Sequence, residues 1–249
     1  MRLVLLLVAI AISAAARADG AADLKAALER LQEPGPLKAT LEASVWRREG
    51  EGKDVEEING QASVSIDDSA RGMQLTYSRE MLARLDAEAV AQARNPNAKT
   101  PTMSAAKDFA PTELRPMISA AAMLAQRLEK AAFKSEKQDS YQGKAARMLT
   151  YAQGMDVISD RQRKYVKDFE GNIYVWIGPD GTPLGSRIVQ SYSGRAFLVV
   201  SFNGKNEENS SYTVAGKRLV TSRFESRGSS TGAGEKGEFK TTKTLQLMP

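Results

Sequence analysis

The amino-acid sequence predicts an α+β fold: a large curved antiparallel β-sheet, an incomplete barrel, with helices packed on its concave face. Three observations carry that reading. The stretch from Ile173 to Phe202 splits into runs rich in aromatic and β-branched residues, Ile173-Tyr174-Val175-Trp176-Ile177, Leu184 to Tyr192 and Phe197-Leu198-Val199-Val200-Ser201-Phe202. The punctuation between them, Gly178 to Pro183 and Ser193-Gly194, is too short to hold a crossover helix, so the runs form an antiparallel meander. The first and third runs are apolar on both faces, and alternate strand side chains point to opposite sides, so cover is expected above and below. Beyond Lys134 no helical period appears, and a twisted sheet of that many strands curls.

In chain order, Asp19 to Gln32 sets Leu24, Ala27, Leu28 and Leu31 at helical spacing before Pro34-Gly35-Pro36 stops the run. From Leu37 the period drops to two, with Leu37, Ala39, Leu41, Ala43 and Val45 alternating with polar residues. After a turn at Gly50 and Gly52, Ile58 to Ile66 alternates again through Ala62, Val64 and Ile66, and Met73, Leu75 and Tyr77 make a third strand. Ser78 is placed to cap a helix carrying Met81, Leu82, Leu85, Ala89 and Val90, which ends before Asn95-Pro96-Asn97. Lys99 to Pro111 reads as a loop. A second helix begins around Pro116, with Leu114, Met117, Ile118, Ala121, Leu124, Ala125 and Leu128 as its apolar stripe and Arg127 off it. The helical insertion thus covers about residues 79–133. Strands follow at Tyr141 to Tyr151, Tyr165 to Phe169, the three central runs, Ser211 to Val214, Arg218 to Ser226 and Glu238 to Leu247, with Asn203-Gly204 as a hairpin turn.

The chain opens with Met1-Arg2, an apolar run from Leu3 to Ile12, and small residues ending Ala16-Arg17-Ala18. These are the marks of a secretory signal peptide over residues 1–18, since a membrane-spanning helix needs about 20 apolar residues. No twin arginine precedes the run, so export by the general secretion route is expected, which argues against a cofactor inserted in the cytoplasm. With no cysteine there are no disulfides, and a soluble periplasmic protein fits that usage. Removing the leader takes two arginines from a formal net charge of +5, leaving too little basic excess for nucleic acid. Residues 19–249 read as one β-rich domain.

An exported chain with an N-terminal helix, an early meander, a helical insertion and a long C-terminal meander bearing the turn Asp180-Gly181-Thr182-Pro183 resembles the lipoprotein-carrier superfamily of the bacterial periplasm, the LolA/LolB-like fold. The resemblance implies an incomplete barrel, closed by helices, that holds lipid acyl chains.

Several motifs point elsewhere. Gly232-Ala233-Gly234-Glu235-Lys236-Gly237 spells a dinucleotide fingerprint, but a strand follows it instead of a helix, so it reads as a hairpin loop. Arg161, Arg163, Lys164 and Lys167 around Tyr165 suit anionic lipid headgroups, an acidic partner, or a solvated loop and strand edge. Asp54-Val55-Glu56-Glu57 and Asp67-Asp68 lack the ligand spacing of a calcium loop. Ser104-Ala105-Ala106-Lys107, Ser159-Asp160 and Lys240-Thr241-Thr242 follow the order of the penicillin-binding motifs, yet Arg161 and Thr242 stand where asparagine and glycine are expected. Histidine is absent, and with it the commonest general base and zinc ligand.

The sequence therefore predicts a non-catalytic periplasmic binding protein without cofactor or metal, holding a lipid or lipoprotein acyl chain between sheet and helices. The alternatives are a cell-envelope scaffold that binds a protein partner and no ligand, and, more remotely, a Ser-Lys hydrolase using Ser104, Lys107 and Ser159. The residues expected to line the cavity are Val64, Ile66, Leu75, Tyr77, Met117, Leu124, Tyr174 and Trp176, and the methionines Met73, Met81, Met117 and Met123 suit either adaptable lining or core packing.

Overall fold

The carboxylate of Asp19 accepts from the amides of Ala21 and Ala22, at 3.0 and 3.4 Å, and so caps helix α1 (Gly20–Arg30), which buries Leu24, Ala27 and Leu28. The computed structural model describes residues 19–33, 35–52, 55–196 and 200–248. The expected signal peptide and the Phe197-Leu198-Val199 part of the third apolar run lie outside the described residues. Strands β1 (Leu37–Glu49), β2 (Glu56–Ser69) and β3 (Gly72–Thr76) follow the expected alternation. Register sets Ala39 opposite Ile66, Leu41 opposite Val64 and Ala43 opposite Ala62, so all six face one core.

Helix α2 (Arg79–Arg94) starts where Ser78 Oγ accepts the Met81 amide at 3.1 Å. The expected loop at Lys99 to Pro111 is instead helix α3 (Pro101–Ala106) and a 3₁₀ turn, Lys107–Phe109. The cause is tertiary: the Glu88 carboxylate on α2 accepts the amides of Thr102 and Met103, both at 2.8 Å, capping α3 from another helix. The helix expected from Pro116 is two helices, α4 (Pro111–Ile118) and α5 (Ala120–Glu129), broken at Ser119 (φ −145°, ψ 64°). Pro111, not Pro116, occupies the first turn.

Beyond α5 the chain forms β4 (Ala131–Tyr141) and β5 (Lys144–Gln153), then helix α6 (Asp160–Arg163) after a short 3₁₀ turn. Five strands complete it: β6 (Val166–Ile177), β7 (Pro183–Ala196), β8 (Val200–Ala215), β9 (Arg218–Gly232) and β10 (Glu235–Leu247). The expectation of no helix after Lys134 is corrected by α6, and Tyr141 ends β4, with Gln142-Gly143 turning into β5 at positive φ. Val166 to Phe169 is the start of β6, not a separate strand, and Tyr165 lies in the turn before it. Asn203-Gly204 lies inside β8, not at a turn, because Gly204 makes room for the Tyr192 ring across from it. Gly232 to Gly237 is the β9–β10 hairpin, as expected.

The ten strands form one antiparallel sheet in the order β3-β2-β1-β10-β9-β8-β7-β6-β5-β4. Pairing of β1 with β10 joins the two meanders, while the segment bearing α2 to α5 runs from one sheet edge to the other. The result is an α+β incomplete barrel with its helices on the concave face. Two apolar clusters fill that face. One joins β1, β2 and β10 to Ala105, Phe109, Leu114, Met117 and Ile118. The other joins Leu24 and Leu28 of α1 and Ala121 and Leu124 of α5 to Leu149, Ile173, Val175 and Ile177. Each of the larger fully buried side chains contributes roughly 1.5–3 kcal/mol by leaving water.

Cover on both faces of β6 is not what forms. Ile173, Val175 and Ile177 meet the helices, while Tyr174 and Trp176 point the other way and stay half-buried. Trp176 is sheltered by its own sheet: Nε1 donates to Asp139 Oδ2 at 3.1 Å and the Tyr141 ring lies 5.5 Å away. Among the described residues, no helix is long and apolar enough to cross a membrane.

Candidate functional site

The break at Ser119 decides where a cavity can open. Leu114, Met117 and Ile118 on α4 drop into the first cluster, and Ala120, Ala121 and Leu124 on α5 into the second. Between them the two clusters do not quite meet, and a cavity of about 330 Å³ remains at the seam under α4 and α5 and over β7 to β10. Pro116, Met117, Ala120, Met123 and Leu124 form the helical wall, and Ile188, Tyr212, Thr221 and Phe224 lie on the sheet side.

The cavity is not purely apolar. Lys243 on β10 shares the inward face with Leu245 and is only 3% exposed. Its Nζ lies 2.8 Å from Asp108 Oδ1 and 2.7 Å from Glu113 Oε2, and 5.4 Å from the centre of the Phe224 ring. These contacts tie the 3₁₀ turn and α4 to the sheet. Arg127 on α5 reaches Glu208 on β8 at 2.6 Å. Burial works against the Arg127 charge, but the Glu208 carboxylate more than offsets it and holds the guanidinium pKa above its ordinary value. Tyr212 Oη lies 2.7 Å from Ser186 Oγ, and burial pushes the Tyr212 phenol up despite that hydrogen bond. Thr221 Oγ1 donates to the Pro116 carbonyl at 3.0 Å, bonding the α4 backbone to β9. An apolar wall facing paired charges suits a ligand with both an apolar body and a polar group.

Of the residues expected to line a cavity, Met117 and Leu124 do so. Val64 and Ile66 are buried in the first cluster, with Leu75 and Tyr77 packed against it. Tyr174 and Trp176 lie on the opposite sheet face. Arg127, Glu208, Tyr212 and Lys243 were not singled out by sequence; the available signal for Lys243 was its inward parity with Leu245.

The hydrolase constellation is dispersed. Ser104 is buried on α3, which packs against β2, Lys107 is exposed on the following turn, and Ser159 donates its hydroxyl to Gln162 Oε1 at 2.8 Å beside α6. Because α6 packs on β6, six strands along the sheet from β2, Ser159 is set far apart from Ser104 and Lys107. Among the described residues, no cluster of three or more acidic side chains is arranged to hold a metal ion.

No protein-family model and no curated protein matches this chain. Among solved structures, a LolA superfamily protein from Nitrosomonas europaea is similar over 92% of this chain and 94% of that chain, at 10% identity and a TM-score of 0.27. A likeness that distant transfers neither ligand nor activity.

Proposed function

We propose that this is a non-catalytic periplasmic binding protein that holds a hydrophobic ligand, a lipid or lipoprotein acyl chain, in the cavity between its helices and its sheet. The observation that carries the reading is the cavity itself: about 330 Å³ at the seam of two cores, walled by Met117, Met123 and Leu124. That volume falls within the roughly 300–1,000 Å³ typical of small-ligand sites. Methionines suit a wall that must accommodate flexible chains, because the unbranched thioether repacks at low cost. The break between α4 and α5 gives the helical layer a place to move apart and admit a chain.

Native mass spectrometry of the mature protein recovered from the periplasm of its own host, followed by solvent extraction and lipid analysis, tests the proposal. A bound mass that disappears on extraction and is identified as an acyl-chain lipid is expected. A clean apo mass with no lipid recovered would overturn the carrier reading and favour an envelope scaffold.

A further inference from the structure

The basic run that the sequence displays lies beside a second concavity, an apolar groove of about 440 Å³ that shares no lining residue with the cavity above. Its floor is Phe169 of β6, Tyr192 of β7 and Phe202 of β8, the last two rings 6.3 Å apart. Each ring is seated low on the sheet over a glycine: a Cβ added to Gly171, Gly204 or Gly194 would run into Phe169, Tyr192 or Phe202, respectively. Val157, Ile158 and Tyr165, from the segment that includes α6, form the other wall.

The cations here divide into two kinds. Arg163 is used internally: its guanidinium donates to the Ile158 carbonyl at 3.0 Å and pairs with Asp160 at 3.4 Å, which holds the segment in shape. Arg161, Lys164, Lys167 and Arg195 are exposed and have no carboxylate within ion-pair distance among the described residues. Arg195 is held at the groove because its amide donates to the Tyr165 carbonyl at 2.9 Å, and Lys164 Nζ lies 5.9 Å from the Tyr165 ring.

We propose that this end of the sheet docks on the surface of an anionic phospholipid bilayer. Charge complementarity selects that occupant: Arg161, Lys164, Lys167 and Arg195 meet the headgroup charge, and Tyr165 and the aromatic groove beside them offer the amphipathic rings that partition to a membrane interface. A soluble acidic chain would satisfy the cations and leave the apolar groove in water.

The test is sedimentation of the mature chain with vesicles containing phosphatidylglycerol and with pure phosphatidylcholine vesicles, at low and high salt. Binding to the anionic vesicles alone, weakened by salt, is expected. The triple variant Arg161→Gln, Lys164→Gln, Lys167→Gln lowers partitioning on the order of a hundredfold, at about fivefold per cation near an anionic surface. Tyr165→Ser weakens binding without changing its salt dependence. The control Arg71→Gln, Arg94→Gln, at exposed sites on the β2–β3 turn and α2, leaves it unchanged. No sedimentation with anionic vesicles, equal sedimentation with neutral ones, or a triple variant that binds like the parent overturns the proposal. So does displacement by soluble polyglutamate with no effect of Tyr165→Ser, which would identify an acidic chain as the occupant.

Discussion

Arg127 on α5 and Glu208 on β8 meet at 2.6 Å, so one charge pair both joins the helical layer to the sheet and lines the candidate cavity. The Arg127 side chain keeps 41% of its surface and Glu208 21%, so solvent screens the pair in part. A double-mutant cycle with Arg127→Gln and Glu208→Gln, read by urea unfolding, is expected to give a coupling of about 1 kcal/mol that shrinks as salt is added. Coupling near zero at low salt would mean that the pair does not fasten α5 to the sheet.

Lys243 presents the stricter case because its side chain is almost wholly enclosed. Lys243→Met removes the cation and leaves the largely enclosed Asp108 carboxylate without its partner, while the half-exposed Glu113 can turn to water, and the change is expected to cost about 1–3 kcal/mol in chemical denaturation. Neutralising the stranded acids as well, with Asp108→Asn and Glu113→Gln, should recover most of that loss. A Lys243→Met protein as stable as the parent would show that the acids simply turn to solvent.

Met123 is half-buried on the cavity wall, so Met123→Trp adds bulk toward the empty space. The variant is expected to lack the bound mass expected of the parent in native mass spectrometry, at a cost in stability of no more than about 1–3 kcal/mol. A variant that retains the full bound mass would place the ligand elsewhere.

What was legible in the sequence was whatever local pattern dictates. Alternation from Leu37 to Val45 and the cap at Ser78 gave β1 and α2, and the turn at Asp180-Gly181 formed as read, with Gly181 at φ 79°. What was not legible depended on partners far along the chain. Helix α3 exists because Glu88 caps it, and Asn203-Gly204 is strand because Tyr192 occupies the space that a side chain would need. The site divides the same way. Met117 and Leu124 follow from helical spacing, whereas Arg127 sits off the apolar stripe and gains its place from a carboxylate 81 residues away.

Gly60 on β2 is buried under α3, where an added Cβ would strike the Pro101 backbone carbonyl. Backbone cannot rotate away as a side chain end can, so Gly60→Ala must lift α3 from the sheet. A loss of about 1–3 kcal/mol is expected in chemical denaturation. Equal stability of variant and parent would show that α3 shifts freely over β2.

Tyr151 on β5 is buried in the second cluster, where its ring packs edge-on against Phe133 at 5.5 Å. Burial, with the nearby charges of Asp19 and Glu136, pushes its phenol pKa up to about 12. In the unfolded chain the phenol titrates near 10. Between those values the unfolded state has lost the proton that the folded state retains, so stability falls as pH rises through this window and the contribution is fully present below it. Tyr151→Phe removes the titrating group and is expected to flatten the decline in urea midpoint between about pH 10 and 12, while other groups titrate equally in both proteins. Identical slopes for variant and parent would mean that Tyr151 ionises in the folded protein as readily as in water.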